Sequence, residues 1–232
     1  MSRVMLRTRR GEAVSEPQRL AVWQLVSLLL DYPSAALYER VPAIRSLGGL
    51  PATAGASITA FVAALEDLGL GAAQRRYVET FDHARRCCPY LTYFFYGDTR
   101  RRGMALLRLK QAYRQAGLEL GPQELPDHLC VVLEFGATAD AAAAARILAD
   151  YRASVEVLRI ALEERGSPWA HLLVALCSTL PELDGDDVLR VQRLVAHGPP
   201  VEEVGLDGYA ADPRMSDRRV SLGDRIPVGA PR

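Results

Sequence analysis

Apolar residues recur along this chain at spacings of three and four, the signature of helices burying one face. Val22, Leu25, Val26 and Leu29 share a face behind Ser15 and Gln18, a capping pair, and Pro33 closes the segment. Ser34 can cap a second helix carrying Leu37, Val41 and Ile44, with Pro42 as a kink point and Gly48 and Gly49 as its end. A third runs from about Pro51 through Ile58, Phe61, Val62 and Leu65 and stops at Gly69 or Gly71. Gln74, Tyr77, Val78 and Phe81 predict a fourth.

Residues 90–96 are densely aromatic, and propensity alone would allow a strand. No other segment alternates with period two to pair with it, so the reading is helical or irregular. Asp98 is the expected N-cap of a long helix with Leu106, Leu109 and Tyr113 on one side and Gly117 as its stop. Pro126 fits the first turn of the next, along which lie Leu129, Val132, Leu133 and Gly136. From Ala141 one long seam runs through Leu148, Tyr151, Val155, Leu158 and Leu162 to Gly166. Trp169, Leu172, Leu173, Leu176 and Leu180 share a face after it, and Val188, Val191 and Val195 mark a last helix. Beyond Pro200 the periodicity disappears. The expected architecture is all-α: one globular helical bundle over residues 17–197, a flexible basic N-terminus over 1–16, and a flexible tail over 198–232.

Composition narrows the function. The 232 residues hold 28 Lys and Arg against 28 Asp and Glu, so the chain lacks the basic surplus of a general nucleic-acid binder. No apolar run approaches the roughly 20 residues of a membrane span, and no secretory leader is recognisable, which predicts a cytoplasmic protein with reduced thiols. His83 and Cys87 stand four apart, a spacing that two metal ligands can use. Cys87 and Cys88 form no C-x-x-C, and no second pair completes a tetrahedral site, so no metal is expected. Nor does any Walker, nucleophile-elbow or dinucleotide motif occur.

Two polar clusters remain. In the first, Gly97, Asp98, Thr99, Arg100, Arg101, Arg102 and Gly103 set three successive arginines in a first helical turn, against the macrodipole. Either acidic side chains of a neighbouring helix pair with them, or an acidic or phosphorylated partner docks there. In the second, Glu124, Pro126, Asp127 and His128 open a helix; capping explains Asp127, and a neutral imidazole is expected of His128.

These clusters, in this order, resemble the NarJ family of respiratory nitrate reductase delta subunits, the molybdenum cofactor assembly chaperones. The similarity runs from about residue 20 to 180, through Leu28 to Pro33, Tyr77 to Asp82, Gly97 to Leu107, Glu124 to Leu129 and Val132 to Phe135. It extends to the wider all-helical group that matures molybdoenzymes, which shares the Pro-Asp-His element. The resemblance implies a non-catalytic chaperone. It would bind the apo catalytic (alpha) subunit of nitrate reductase, partly through that subunit's N-terminal peptide. It would hold its client ready for molybdopterin guanine dinucleotide, holding no cofactor stably itself, delay membrane attachment, and be absent from the finished enzyme. Molybdenum cofactor biosynthesis proteins are further partners under this reading, and the chaperone is a monomer or weak dimer. Carried over by residue, the partner-binding set is Glu124, Pro126, Asp127 and His128 with Asp98, Arg100, Arg102 and Gly103. Tyr77, Phe81 and the 90–96 aromatics could line an apolar trough, or simply fill the core. The break at Cys87, Cys88 and Pro89 departs from the family pattern. The alternative is a cytoplasmic helical enzyme or metal- or cofactor-binding protein using His83, Cys87 or His128.

Overall fold

The computed structural model describes residues 13–82, 84–121 and 124–200. Most of the two terminal segments named above, and His83, therefore lie outside the described residues. Eleven α-helices are formed by the described residues: α1 (Glu16–Leu30), α2 (Ala35–Arg45), α3 (Ala52–Leu68), α4 (Leu70–Phe81), α5 (Leu91–Tyr96), α6 (Arg100–Gln115), α7 (Leu129–Thr138), α8 (Ala141–Asp150), α9 (Arg152–Glu164), α10 (Ala170–Cys177) and α11 (Gly185–His197). A short 3-10 turn over Arg85–Cys87 precedes α5, so the chain does leave the helix ahead of Pro89.

Local chemistry explains most boundaries. Ser15 and Gln18 form the reciprocal capping box at α1, and Ser34 accepts from the Leu37 amide at α2. Gly69, at φ +67°, ends α3 and starts α4, a conformation that only glycine adopts without cost. Three boundaries differ from expectation. Thr99, not Asp98, stands at the N-cap of α6, and Asp98 points its carboxylate to Arg102 instead. Helix α7 starts at Leu129 with His128 as its cap, so Pro126 and Asp127 precede the helix. The seam from Ala141 to Gly166 is two helices, because the backbone at Tyr151 (φ −108°, ψ 25°) leaves the helical region. That break lets α8 pack against α7 while α9 turns towards α5, α10 and α11.

The main core joins α1, α3, α7 and α10, with Val26, Leu29, Phe61, Leu133 and Leu172 excluded from solvent. Each such side chain contributes about 1.5–3 kcal/mol of burial. Trp23 is wholly buried and still satisfies its indole N–H, which donates to Thr179 Oγ1 at 3.0 Å. Its ring lies against Gly136 of α7, where an added Cβ would stand 2.7 Å from the ring and 2.6 Å from Ala144 Cβ. Gly136 therefore sets how closely α1, α7 and α8 approach. A smaller cluster of Phe94, Val157, Ile160, Val191 and Leu194 ties α5 and α11 to α9.

Candidate functional site

The two polar clusters, some 25 residues apart in sequence, form one site. Segments 89–91 and 127–129 run antiparallel: the Leu91 N–H donates to the Asp127 carbonyl and the Leu129 N–H to the Pro89 carbonyl, each at 2.9 Å. This clip sets the first turn of α5 over the Asp127 side chain. Asp127 is entirely buried, and its Oδ2 accepts from both the hydroxyl and the amide of Thr92. Arg102 reaches in from the start of α6, 3.6 Å from Asp127 Oδ2. Its Nη1 binds Asp98 at 3.0 Å, and its Nε donates to Thr92 Oγ1 at 3.3 Å. Its guanidinium lies over the rings of Tyr90 and Tyr93, at 5.6 and 5.7 Å.

This knot resolves the electrostatic problem of three arginines at a helix start. Two carboxylates compensate Arg102, while Arg100 and Arg101 stay exposed in water. The other signature residues divide by burial. Pro126 is buried, and its carbonyl accepts from the Tyr113 hydroxyl at 2.6 Å. Glu124 is exposed and closes a small turn by accepting from the Gly121 amide at 3.2 Å. Gly103 is exposed, with open space where a side chain would be.

His128 caps α7 with its ring: Nδ1 accepts from the Cys130 amide at 3.3 Å, which requires that nitrogen to be unprotonated. Burial lowers its pKa, more strongly than the nearby Asp31 and Asp127 carboxylates raise it. A neutral imidazole at a positive helix end is thus the state the geometry needs. Cys87 is buried, and burial pushes its thiol pKa up, the opposite of an activated thiolate. Among the described residues, no three His, Cys, Asp or Glu side chains converge on a possible metal position.

Tyr77 and Phe81 pack edge-on against Trp169, at 5.5 and 5.6 Å, in an aromatic cluster that Phe61 and Tyr32 extend. The 90–96 run divides three ways. Leu91 and Phe94 enter the core, Tyr90 and Tyr93 flank Arg102, and Phe95 and Tyr96 line a cleft between α6 and α8. The cleft holds about 390 Å³, with Leu109, Ala143 and Ile147 along it and Arg108 and Arg146 among its polar groups. Sequence reasoning missed the α8 wall and the role of Thr92. Thr92 gave a faint signal, as the one aliphatic hydroxyl among aromatics; Arg146 gave none, since an arginine on an alanine-rich helix reads as surface.

The nitrate reductase delta subunit family model matches residues 48–175. The chain is 39% identical over 158 residues to the nitrate reductase-like protein NarX of Mycobacterium tuberculosis, covering 68% of this chain but only 24% of that relative. It is 34% identical over 171 residues to the nitrate reductase molybdenum cofactor assembly chaperone NarJ of Escherichia coli, covering 71% of this chain and 72% of that one. In fold it is similar to a crystal structure described as a redox enzyme maturation protein from Archaeoglobus fulgidus. That match has a TM-score of 0.52 at 23% identity and covers 73% of this chain and 96% of the other. The family match spans most of the described bundle, including both clusters of the Asp127 knot, and the chain belongs to the nitrate reductase delta subunit family.

Proposed function

We propose that this chain is a cytoplasmic assembly chaperone for a respiratory nitrate reductase. It binds the apo catalytic subunit, including that subunit's N-terminal peptide, in the α6–α8 cleft. It holds the client competent for insertion of molybdopterin guanine dinucleotide, acts before membrane attachment, and leaves the finished enzyme. The cofactor is the client's cargo, not a resident group of this chain. The family assignment and the name of the Escherichia coli relative support the chaperone role.

The observation that carries the binding mode is the cleft itself. An amphipathic helix needs an apolar floor and polar ends, and Phe95, Leu109 and Ile147 with Arg108 and Arg146 supply both. Arg108 and Arg146 outnumber the one lining carboxylate, Asp150, and so favour a peptide with acidic residues on its rim. The Asp127 knot acts one step back. By joining the starts of α5, α6 and α7 it fixes the angle of α6, one wall of the cleft. Asp127, Pro126, His128 and Arg102 therefore act through the scaffold, while the exposed Glu124, Asp98, Arg100 and Gly103 are free to touch the client. Tyr77 and Phe81 pack into the main core against Trp169, outside the cleft lining.

The test is calorimetric titration of a synthetic peptide matching the client's N-terminus into the full chain. Arg108→Glu with Arg146→Glu should weaken binding by about tenfold or more, with unchanged helicity. Tight binding that ignores this double variant would move the peptide out of the cleft. No binding by the wild-type chain would remove the client reading.

A further inference from the structure

Helix α6 carries a second feature that the cleft does not use. Its sixteen residues include Arg100, Arg101, Arg102, Arg108, Lys110 and Arg114 and not one acid. The chain as a whole is neutral, with equal numbers of acids and bases, so this is a local concentration of charge. Arg102 is consumed by the Asp127 knot. Among the described residues no ion pair within 4 Å joins a carboxylate to the other five, so the helix presents five cations of one sign along sixteen residues.

The arrangement of the outer face matters as much as its charge. The helix buries Ala105, Leu109 and Tyr113, so at 100° per residue Met104 and Leu107 lie along the middle of the opposite side. They are 59% and 60% exposed, among the most exposed large apolar residues described. Lys110 and Arg114 line one flank and Arg101 the other, where Arg108 also borders the cleft. Met104 and Leu107, with Arg100 and Gln111 on the same stripe, make a convex face between cationic flanks, so a partner helix laid beside it would meet one flank. A flat anionic layer meets both flanks at once, takes the methionine and leucine among its acyl chains, and leaves the long cationic stems to reach the headgroups.

We propose that this outer face of α6, chiefly Met104, Leu107, Lys110 and Arg114, none of which lines the cleft, docks the protein peripherally on an anionic lipid surface. No single helix among the described residues is long and apolar enough to cross a bilayer.

The experiment is co-sedimentation of the full chain with vesicles of phosphatidylcholine, with and without a minority of phosphatidylglycerol. Binding is expected only to the anionic vesicles and should fall steeply as salt is raised. The triple variant Leu107→Ser, Lys110→Glu, Arg114→Glu should bind at least about tenfold more weakly, since each surface cation near an anionic leaflet contributes several-fold. Arg40→Glu with Arg75→Glu reverses two exposed cations on α2 and α4 and should leave binding within about twofold, if position on α6 rather than total charge decides. Circular dichroism checks each fold, and Lys110→Gln with Arg114→Gln gives a milder second test that should still lose several-fold. Equal binding to neutral vesicles, no binding to either, full binding by the α6 variants, or equal loss in the α2 and α4 control would each overturn the proposal. Capture of soluble polyglutamate through the same α6 residues, with anionic vesicles ignored, would make the face a site for an acidic protein instead.

Discussion

Replacing Asp127 by alanine should cost the fold far more than its place just before a helix suggests. An exposed cap-like charge would be worth about 0.5–2 kcal/mol. Asp127, however, has no exposed surface, and its removal leaves the Thr92 hydroxyl and amide without their acceptor in a dry site. It also takes one carboxylate from Arg102. Breaking a fully buried pair costs about 3–5 kcal/mol. Arg102 retains 17% of its side-chain surface and keeps Asp98 at 3.0 Å, which softens the loss. The expected cost is therefore about 2–4 kcal/mol, a fall in melting temperature of roughly 4–16 °C for a domain of this size. Asp127→Asn preserves the shape and one acceptor, and should cost about half as much. Urea denaturation of both variants, of Arg102→Gln and of the Asp127→Asn, Arg102→Gln double variant measures this directly. The double variant should be less destabilised than the sum of the singles by at least about 0.5 kcal/mol. A cost below about 1 kcal/mol for Asp127→Ala, or strictly additive effects, would show that the knot does not hold the three helix starts together. The same measurement guards the functional reading, because a loss of client maturation in these variants would first have to be separated from a loss of folded protein.

Three further outcomes are expected. His128 has its pKa lowered in the folded chain, so the unfolded chain binds more protons below the usual histidine value; stability should be constant above about pH 6.5 and decline as pH falls below it. Asn in place of His128 keeps a cap oxygen and should flatten that slope in urea titrations across the window; an unchanged slope would assign it to other groups. Gly136→Ala forces a Cβ into the Trp23 ring and should cost about 1–3 kcal/mol or more by thermal denaturation, whereas alanine normally stabilises a helix, so a gain would refute the packing. We propose that residues beyond Pro200 are dispensable for folding: a chain ended there should keep one cooperative transition, and a large fall in melting temperature would show that they support the bundle.

How much of this was legible beforehand depended on the range of each interaction. Helix faces and several boundaries follow from local rules, as with the Ser15 capping box, the Ser34 cap and the left-handed glycines at 69, 117 and 166. The all-α fold and the family resemblance therefore stood in the sequence; the structure bears out the first and the family match the second. The aromatic run at 90–96 was readable as helical only by exclusion. Which of its rings fill the core and which line a cleft was not readable, because neighbouring elements make that choice.

Sequence alone determined the all-α class, the buried faces of most helices, and the family resemblance carried by two short polar clusters. Those properties arise from spacings of a few residues, over which backbone geometry is nearly fixed. Tertiary structure decided what the clusters do. Asp127 read as a capping charge because its own neighbours offer it a helix start; its real partners, Thr92 and Arg102, lie 35 and 25 residues away in sequence. Likewise Arg102 could have pointed to a partner like Arg100 and Arg101, and only the packing of α5, α6 and α7 turned it inward. A buried charge is tolerated only where folding delivers its counter-charge, and that delivery is set by the crossing of helices far apart in the chain.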